Sequence, residues 1–159
     1  KTRDMRHKIK DHLYNLAMRT NCPYCNLLRR RDKRVLLRKK RVFAAFSDPR
    51  LMPGHLLIIP KKYVEKLSEL NSEERKEIFD TAIYFQEKIL KNIAPGCDMR
   101  QHYRPFIPQR KFKVNHLHIH LQPRKNKDKL WEKTQRYEDN IFRKLSEKER
   151  ESMRKRLAK

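Results

Sequence analysis

Three histidines at alternate positions, His116, His118 and His120, are separated by the aliphatic residues Leu117 and Ile119. A β-strand turns successive side chains to opposite faces. On a strand the three imidazoles would line one face, while Leu117, Ile119 and Leu121 point into a core. No helix places positions i, i+2 and i+4 on one stripe. A row of imidazoles can bind a metal, move protons or attack an electrophile, because a neutral imidazole is nucleophilic near pH 7. A second chemical cluster is Cys22-Pro23-Tyr24-Cys25, which holds two of the three cysteines. Three cysteines in this arrangement suit a metal or redox role in a reducing compartment better than a disulfide framework.

Composition limits the remaining options. The 159 residues fit one domain with helical appendages. A formal net charge of +23 points to polyanionic surroundings such as nucleic acid, nucleotides or anionic lipid, and says nothing of fold. The only glycines are Gly54 and Gly96. A Gly-rich phosphate loop, a dinucleotide fingerprint and a Walker motif are thereby excluded, so any phosphate must be held by side chains and a few amides. No apolar run approaches the roughly 20 residues that span a bilayer. The first residues, Lys1-Thr2-Arg3-Asp4, lack the apolar region of a signal peptide. The expected location is intracellular, cytoplasmic or nucleic-acid-associated.

The elements that must position these residues can be read from periodicity. Residues 4–19 have Met5, Ile9, Leu13, Leu16 and Ala17 near helical spacing, and 1–20 reads as an N-terminal helix. From Arg29 to Arg41, nine of thirteen residues are Lys or Arg. Val35-Leu36-Leu37 and Val42–Phe46 read as strands around a basic turn, and Leu56–Ile59 as a buried strand closed by Pro60. The clearest helix is 72–93, opened by an Asn71/Glu74 capping box and ended by Pro95-Gly96. Its buried stripe is expected to be Ile78, Phe79, Ala82, Ile83, Gln86, Ile89, Leu90 and Ile93. Strands are expected at 98–103 and 114–121. Residues 126–159 read as a basic helical extension, with helices at 128–144 and 147–157 and a second capping box from Ser146 and Glu149. Neighbouring strands with few βαβ signals predict an α+β fold with an antiparallel sheet.

At this point the sequence resembles the histidine-triad (HIT) superfamily. The family motif, His-φ-His-φ-His-φ-φ with φ apolar, usually precedes Pro-Arg. Here it reads His116-Leu117-His118-Ile119-His120-Leu121-Gln122-Pro123-Arg124. Gln122 departs from the pattern at the last φ. Pro53-Gly54-His55-Leu56-Leu57-Ile58-Ile59-Pro60-Lys61-Lys62 is similar to the family's Pro-Gly-His segment, and Cys22–Cys25 to a knuckle found in many members. The likeness covers roughly residues 20–125, with 21–125 as the HIT domain. It implies a twisted five-stranded antiparallel sheet with a long packed helix, plus N-terminal and C-terminal helices here, and a homodimer formed through that helix and a strand.

The resemblance also implies nucleotide hydrolase or transferase chemistry at the α-phosphate of a nucleoside monophosphate ester, anhydride or amide. Phosphoramidates and dinucleoside polyphosphates lead as substrates, and no organic cofactor is implied. The family nucleophile maps to His118, which would form a nucleotidyl-histidine. It should stand exposed in a phosphate-sized pocket. An imidazole attacks through one nitrogen when an acceptor such as a backbone carbonyl holds the proton on the other. His120 can donate to a phosphate oxygen, and His116, the third triad residue, would hold the strand or a metal. Gln101 resembles the amide that reaches the scissile phosphate, and His102 beside it should point the other way. Lys113 would replace a hydroxyl by a full positive charge. The ribose-binding acid maps to Ser47, with Asp48 next to it the better acceptor for two hydroxyls. His55 would support the triad.

In zinc-binding members the knuckle cysteines, the first triad histidine and a histidine after Pro-Lys-X hold the ion. Tyr63 stands at that last position, which leaves Cys22, Cys25 and His116 as ligands for a structural zinc. Cys97 and His12 are candidates for the fourth. The alternative function is a basic nucleic-acid-associated HIT protein, removing adducts or acting as a binding module, with the 29–41 segment and the tail touching the polyanion. No cysteine follows Cys97, so an aprataxin-type zinc finger after the triad is absent.

Overall fold

The computed structural model describes residues 21–108 and 113–158. The helix expected over 4–19 lies outside them, as do His7 and His12. The chain divides into two compact units, the first ending at Lys125 and the second beginning at Asn126.

The first unit contains a five-stranded sheet, as expected. Its strands are β1 (Val35–Arg38), β2 (Val42–Phe46), β3 (Leu56–Pro60), β4 (Gly96–Gln101) and β5 (Ile119–Arg124). Their order is β1-β2-β3-β5-β4, with every pair antiparallel. Helix α1 (Pro23–Arg29) precedes the sheet and α2 (Ser72–Asn92) joins β3 to β4. Asn71 and Glu74 cap α2 reciprocally, each side chain bonding the other's backbone N–H at 2.9 Å. Two clusters clothe the sheet. On one face Val42, Ala44, Ile58, Leu117, Ile119 and Leu121 meet Ile78, Ala82 and Ile89 of α2. On the other Phe43, Ala45, Leu57 and Ile59 meet Leu27 of α1.

Several elements differ from expectation. The knuckle opens a helix: Cys22 is its N-cap residue and Pro23 takes the first turn, where its missing N–H costs nothing. Only part of the α2 stripe is buried, since Phe79, Ile83, Leu90 and Ile93 are exposed. The fourth strand runs from 96 to 101 rather than from 98 to 103. The triad strand runs from 119 to 124 rather than from 114 to 121. The Leu117 N–H is drawn off to Val64 O at 2.6 Å, so regular pairing starts only at Ile119. Pro123 does not end β5, because pairing with β3 stops at Leu121↔Leu56 and the missing N–H faces no strand on that side.

In the second unit the helix expected over 128–144 is shorter. Asp128 caps Lys129–Lys133, then Thr134 leaves helical geometry and a 3-10 stretch covers Gln135–Asn140. Helix Glu147–Leu157 forms as expected, with the Ser146 hydroxyl accepting from the Glu149 N–H at 3.2 Å.

Candidate active site

β5 carries His120 and Gln122 on the face that α1 partly covers, since His120 pairs with Leu57 of that face. His118, just before β5, brings its ring centroid to 4.5 Å from that of His120. Both line a cavity of about 430 Å³ walled by apolar Tyr24, Leu27, Phe46 and Leu51 and by basic Arg34, Arg50, Arg104 and Lys113. The His118 ring is more enclosed than the sequence suggests, with the residue 9% exposed at the cavity wall. Tyr24 packs edge-on against it, centroids 5.0 Å apart.

Hydrogen bonds fix which nitrogen of each ring is free. The Leu51 N–H donates to His55 Nδ1 at 3.2 Å. His55 Nε2 therefore carries the proton and donates to His120 Nδ1 at 3.0 Å. His120 must then hold its own proton on Nε2. His118 Nδ1 donates to the His116 carbonyl at 2.7 Å, which leaves its Nε2 lone pair bare. Burial drives all three rings towards the neutral form. His118 is lowered to about 4 by burial, against the opposing carbonyl bond. His120 is lowered to about 2 by burial and then by His118, and His55 to about 4 by burial. The arrangement thus presents a neutral nucleophile beside an N–H donor.

His116 leaves the expected row. Its Nε2 donates to Pro60 O at 2.9 Å, and its Nδ1 faces Cys22 Sγ at 3.2 Å and Cys25 Sγ at 3.6 Å. The three donor atoms lie within 4.8 Å of one another. The Cys25 hydrogen bond, and after it His116, hold the Cys22 thiol well below the usual range despite burial. Cys22, Cys25 and His116 could hold a metal ion, and two thiols with an imidazole whose other nitrogen is bonded to a carbonyl supply three of the four ligands a structural zinc takes. Cys97 packs against the α2-side cluster, the opposite sheet face, and does not join them.

Ser47, Asp48, His55 and Lys113 line the cavity with His118 and His120. Asp48 pairs with Arg34 at 3.4 Å, the Ser47 hydroxyl donates to Pro49 O at 2.9 Å, and Lys113 bonds Asn115 Oδ1. Gln101 does not join them. It pairs with Ile119, so it faces the α2 side of the sheet. His102, expected to point away, is the residue that enters, with its ring 5.4 Å from that of His120. The cause is register: Arg100 pairs with His120, and alternation carries His102 to the same face. Gln122 also lines the cavity, 2% exposed, and its Oε1 has no hydrogen-bond partner among the described residues. It departs from the apolar residue of the motif because, two residues after His120 on β5, it continues the cavity face. Tyr24 and the arginines were missed as well, because nothing in the sequence says which of so many cations approach the triad.

A family model described as HIT domain matches residues 29–127. The bis(5'-nucleosyl)-tetraphosphatase [asymmetrical] of Schizosaccharomyces pombe is 29% identical over 100 residues, which cover 57% of this chain and 49% of that protein. The bifunctional bis(5'-adenosyl)-triphosphatase/adenylylsulfatase FHIT of Arabidopsis thaliana is 31% identical over 105 residues, 66% of this chain and 54% of that one. The chain spans about half the length of these curated relatives. Among solved structures, a HIT family protein from Bacillus anthracis matches with TM-score 0.65 at 19% identity, over 87% of this chain and 95% of that one. A Zn-bound histidine triad family protein from Mycobacterium smegmatis matches with TM-score 0.60 at 20% identity, over 70% and 81%.

Proposed function

This chain belongs to the HIT family, and from that premise we propose that it is a nucleotide hydrolase or transferase whose nucleophile is His118. One observation carries the reading: the relay from Leu51 through His55 to His120, with the His116 carbonyl on His118, leaves a bare Nε2 and an N–H donor side by side in one cavity. His118 Nε2 forms a bond to the α-phosphorus while the bond to the leaving group breaks, and water then resolves the nucleotidyl-histidine. His120 Nε2–H donates to a non-bridging oxygen, where charge develops.

The cavity wall bears on substrate class. Arg34, Arg50, Arg104 and Lys113 would meet a leaving group that itself carries negative charge. This favours dinucleoside polyphosphates over phosphoramidates, in line with the names of the fission-yeast and Arabidopsis relatives. The apolar wall suits a base, and Asp48 with Ser47 suits the ribose hydroxyls. Cys22, Cys25 and His116 would hold a structural zinc, as the name of the M. smegmatis neighbour also suggests. Bound there, the ion would brace the segment whose carbonyl orients His118. A second copy of the chain would cover Phe79, Ile83, Leu90 and Ile93 on α2.

A second reading, contact with nucleic acid, draws on a specific feature. Arg31, Lys33, Lys39 and Lys40 make no ion pair among the described residues, and such cations bind phosphates with release of counterions. No helix of the described residues is long and apolar enough to cross a membrane, and reduced cysteines at the ligand cluster suit a reducing compartment.

The test is hydrolysis of diadenosine tetraphosphate and adenosine 5'-phosphoramidate by the wild type and His118→Ala. The wild type should favour the tetraphosphate, and the variant should lose on the order of 10⁴-fold in kcat or more on both. Undiminished turnover by the variant refutes the role of His118.

A further inference from the structure

Resting on the reading of His118 as nucleophile, we propose that His102 is a further catalytic residue, giving a proton to the leaving group and then taking one from the attacking water. The argument is one of uncommitted nitrogens. His55 uses both nitrogens within the protein, while His118 and His120 each use one. His102 lines the same cavity, and neither of its nitrogens is bonded among the described residues. It is the imidazole there with both positions open to a substrate. The placement is direct: one residue past the end of β4, the His102 ring lines the cavity 5.4 Å from that of His120.

An amide facing the phosphate could hydrogen-bond a leaving oxygen but could not transfer a proton to it; an imidazolium can. The charged groups that share the cavity with His102 are Arg104 on its own segment and Arg34, Asp48, Arg50 and Lys113 on others, with Arg100 two residues before it; the neighbouring rings His118 and His120 are held neutral. Burial and then the two arginines favour its neutral form in the free protein. The anionic phosphate of a bound substrate opposes the arginines and favours the imidazolium. The cycle balances. The His118 Nε2 pair forms the nitrogen–phosphorus bond, the phosphorus–oxygen bond breaks with its pair on oxygen, and the His102 proton goes to that oxygen. Neutral His102 then accepts a proton from water as the water oxygen bonds to phosphorus. The nitrogen–phosphorus bond breaks, its pair returns to His118, and His102 is again protonated.

The test compares His102→Gln with the wild type on two adenosine 5'-monophosphate esters, one with an acidic 4-nitrophenol leaving group and one with a poorly leaving butanol. Proton donation contributes on the order of 10²–10⁴-fold where the leaving group needs it. The loss in kcat/KM should therefore be at least about tenfold larger for the butyl ester. The nitrophenyl ester should also show a burst, because the nucleotidyl-histidine loses the base that activates water. Equal losses on the two esters, or none, overturn the role of His102 while leaving His118 in place. A wild type that turns over neither ester overturns the underlying reading and this role with it.

Discussion

What a histidine can do here depends on the partner of its second nitrogen. His118 gives Nδ1–H to the His116 carbonyl and keeps Nε2 bare, and His120 accepts from His55 and keeps an N–H; under the proposed function the first would attack and the second would meet the phosphate. Burial holds His55 near 4 and His120 near 2, below the ordinary histidine value of about 6.5. The sign of the consequence is fixed. Below about pH 6.5 the unfolded chain takes up protons that the folded chain refuses, so stability is full above that pH and is lost as the pH falls towards 4 and beyond. With His118, which burial lowers in the same way, three rings contribute, and we expect thermal melts to show a loss of at least about 2 kcal/mol between pH 7 and pH 5, allowing for solvent screening. His55→Ala should flatten that slope. A melting temperature independent of pH over this range would mean that the rings are not held neutral.

At the scale of elements, a few fixed points set the site. Gly54 leads into β3 at φ +77, and an added Cβ would meet Ile93 and Pro123 side chains at 3.1 Å. Gly54→Ala should therefore cost about 1–2 kcal/mol from the left-handed backbone, with more from the crowding, read as a lower denaturant midpoint. An unchanged midpoint would contradict this. The same turn shows what the sequence could disclose. Pro-Gly-His and the Asn71/Glu74 box are local signals, and each marks an element that forms; the alternating histidines mark a strand that begins only at Ile119, with His116 and His118 before it. The direction of His102 was not local. It depends on Arg100 standing opposite His120, a pairing between segments with a long loop between them. Nor was the off-strand path of His116 and His118, which a single bond from Leu117 to the Val64 carbonyl imposes. Gln101 was misread for the same reason: alternation tells which residues share a face, and register alone tells which face that is.

For the whole molecule, the exposed apolar row on α2 is the largest departure from the expected core. Phe79, Ile83, Leu90 and Ile93 recur at helical spacing, and burying them requires a partner. If that partner is a second copy, sedimentation should give a dimer mass for the wild type and a monomer for Ile83→Glu. A monomeric wild type would contradict the assignment. The charge of +23 acts on a different level: under the proposed function it would draw polyanions towards the protein without choosing among them. In the same reading choice would fall to the cavity, where four cations and an apolar wall surround the imidazoles.

The most direct measurement is acid-resistant and acid-labile trapping of radiolabelled diadenosine tetraphosphate on the rapidly quenched protein, followed by peptide mapping. The account predicts an acid-labile adenylyl group on His118 Nε2, absent from His118→Ala. Label on any other residue, or steady hydrolysis with no covalent adduct at any quench time, would contradict it.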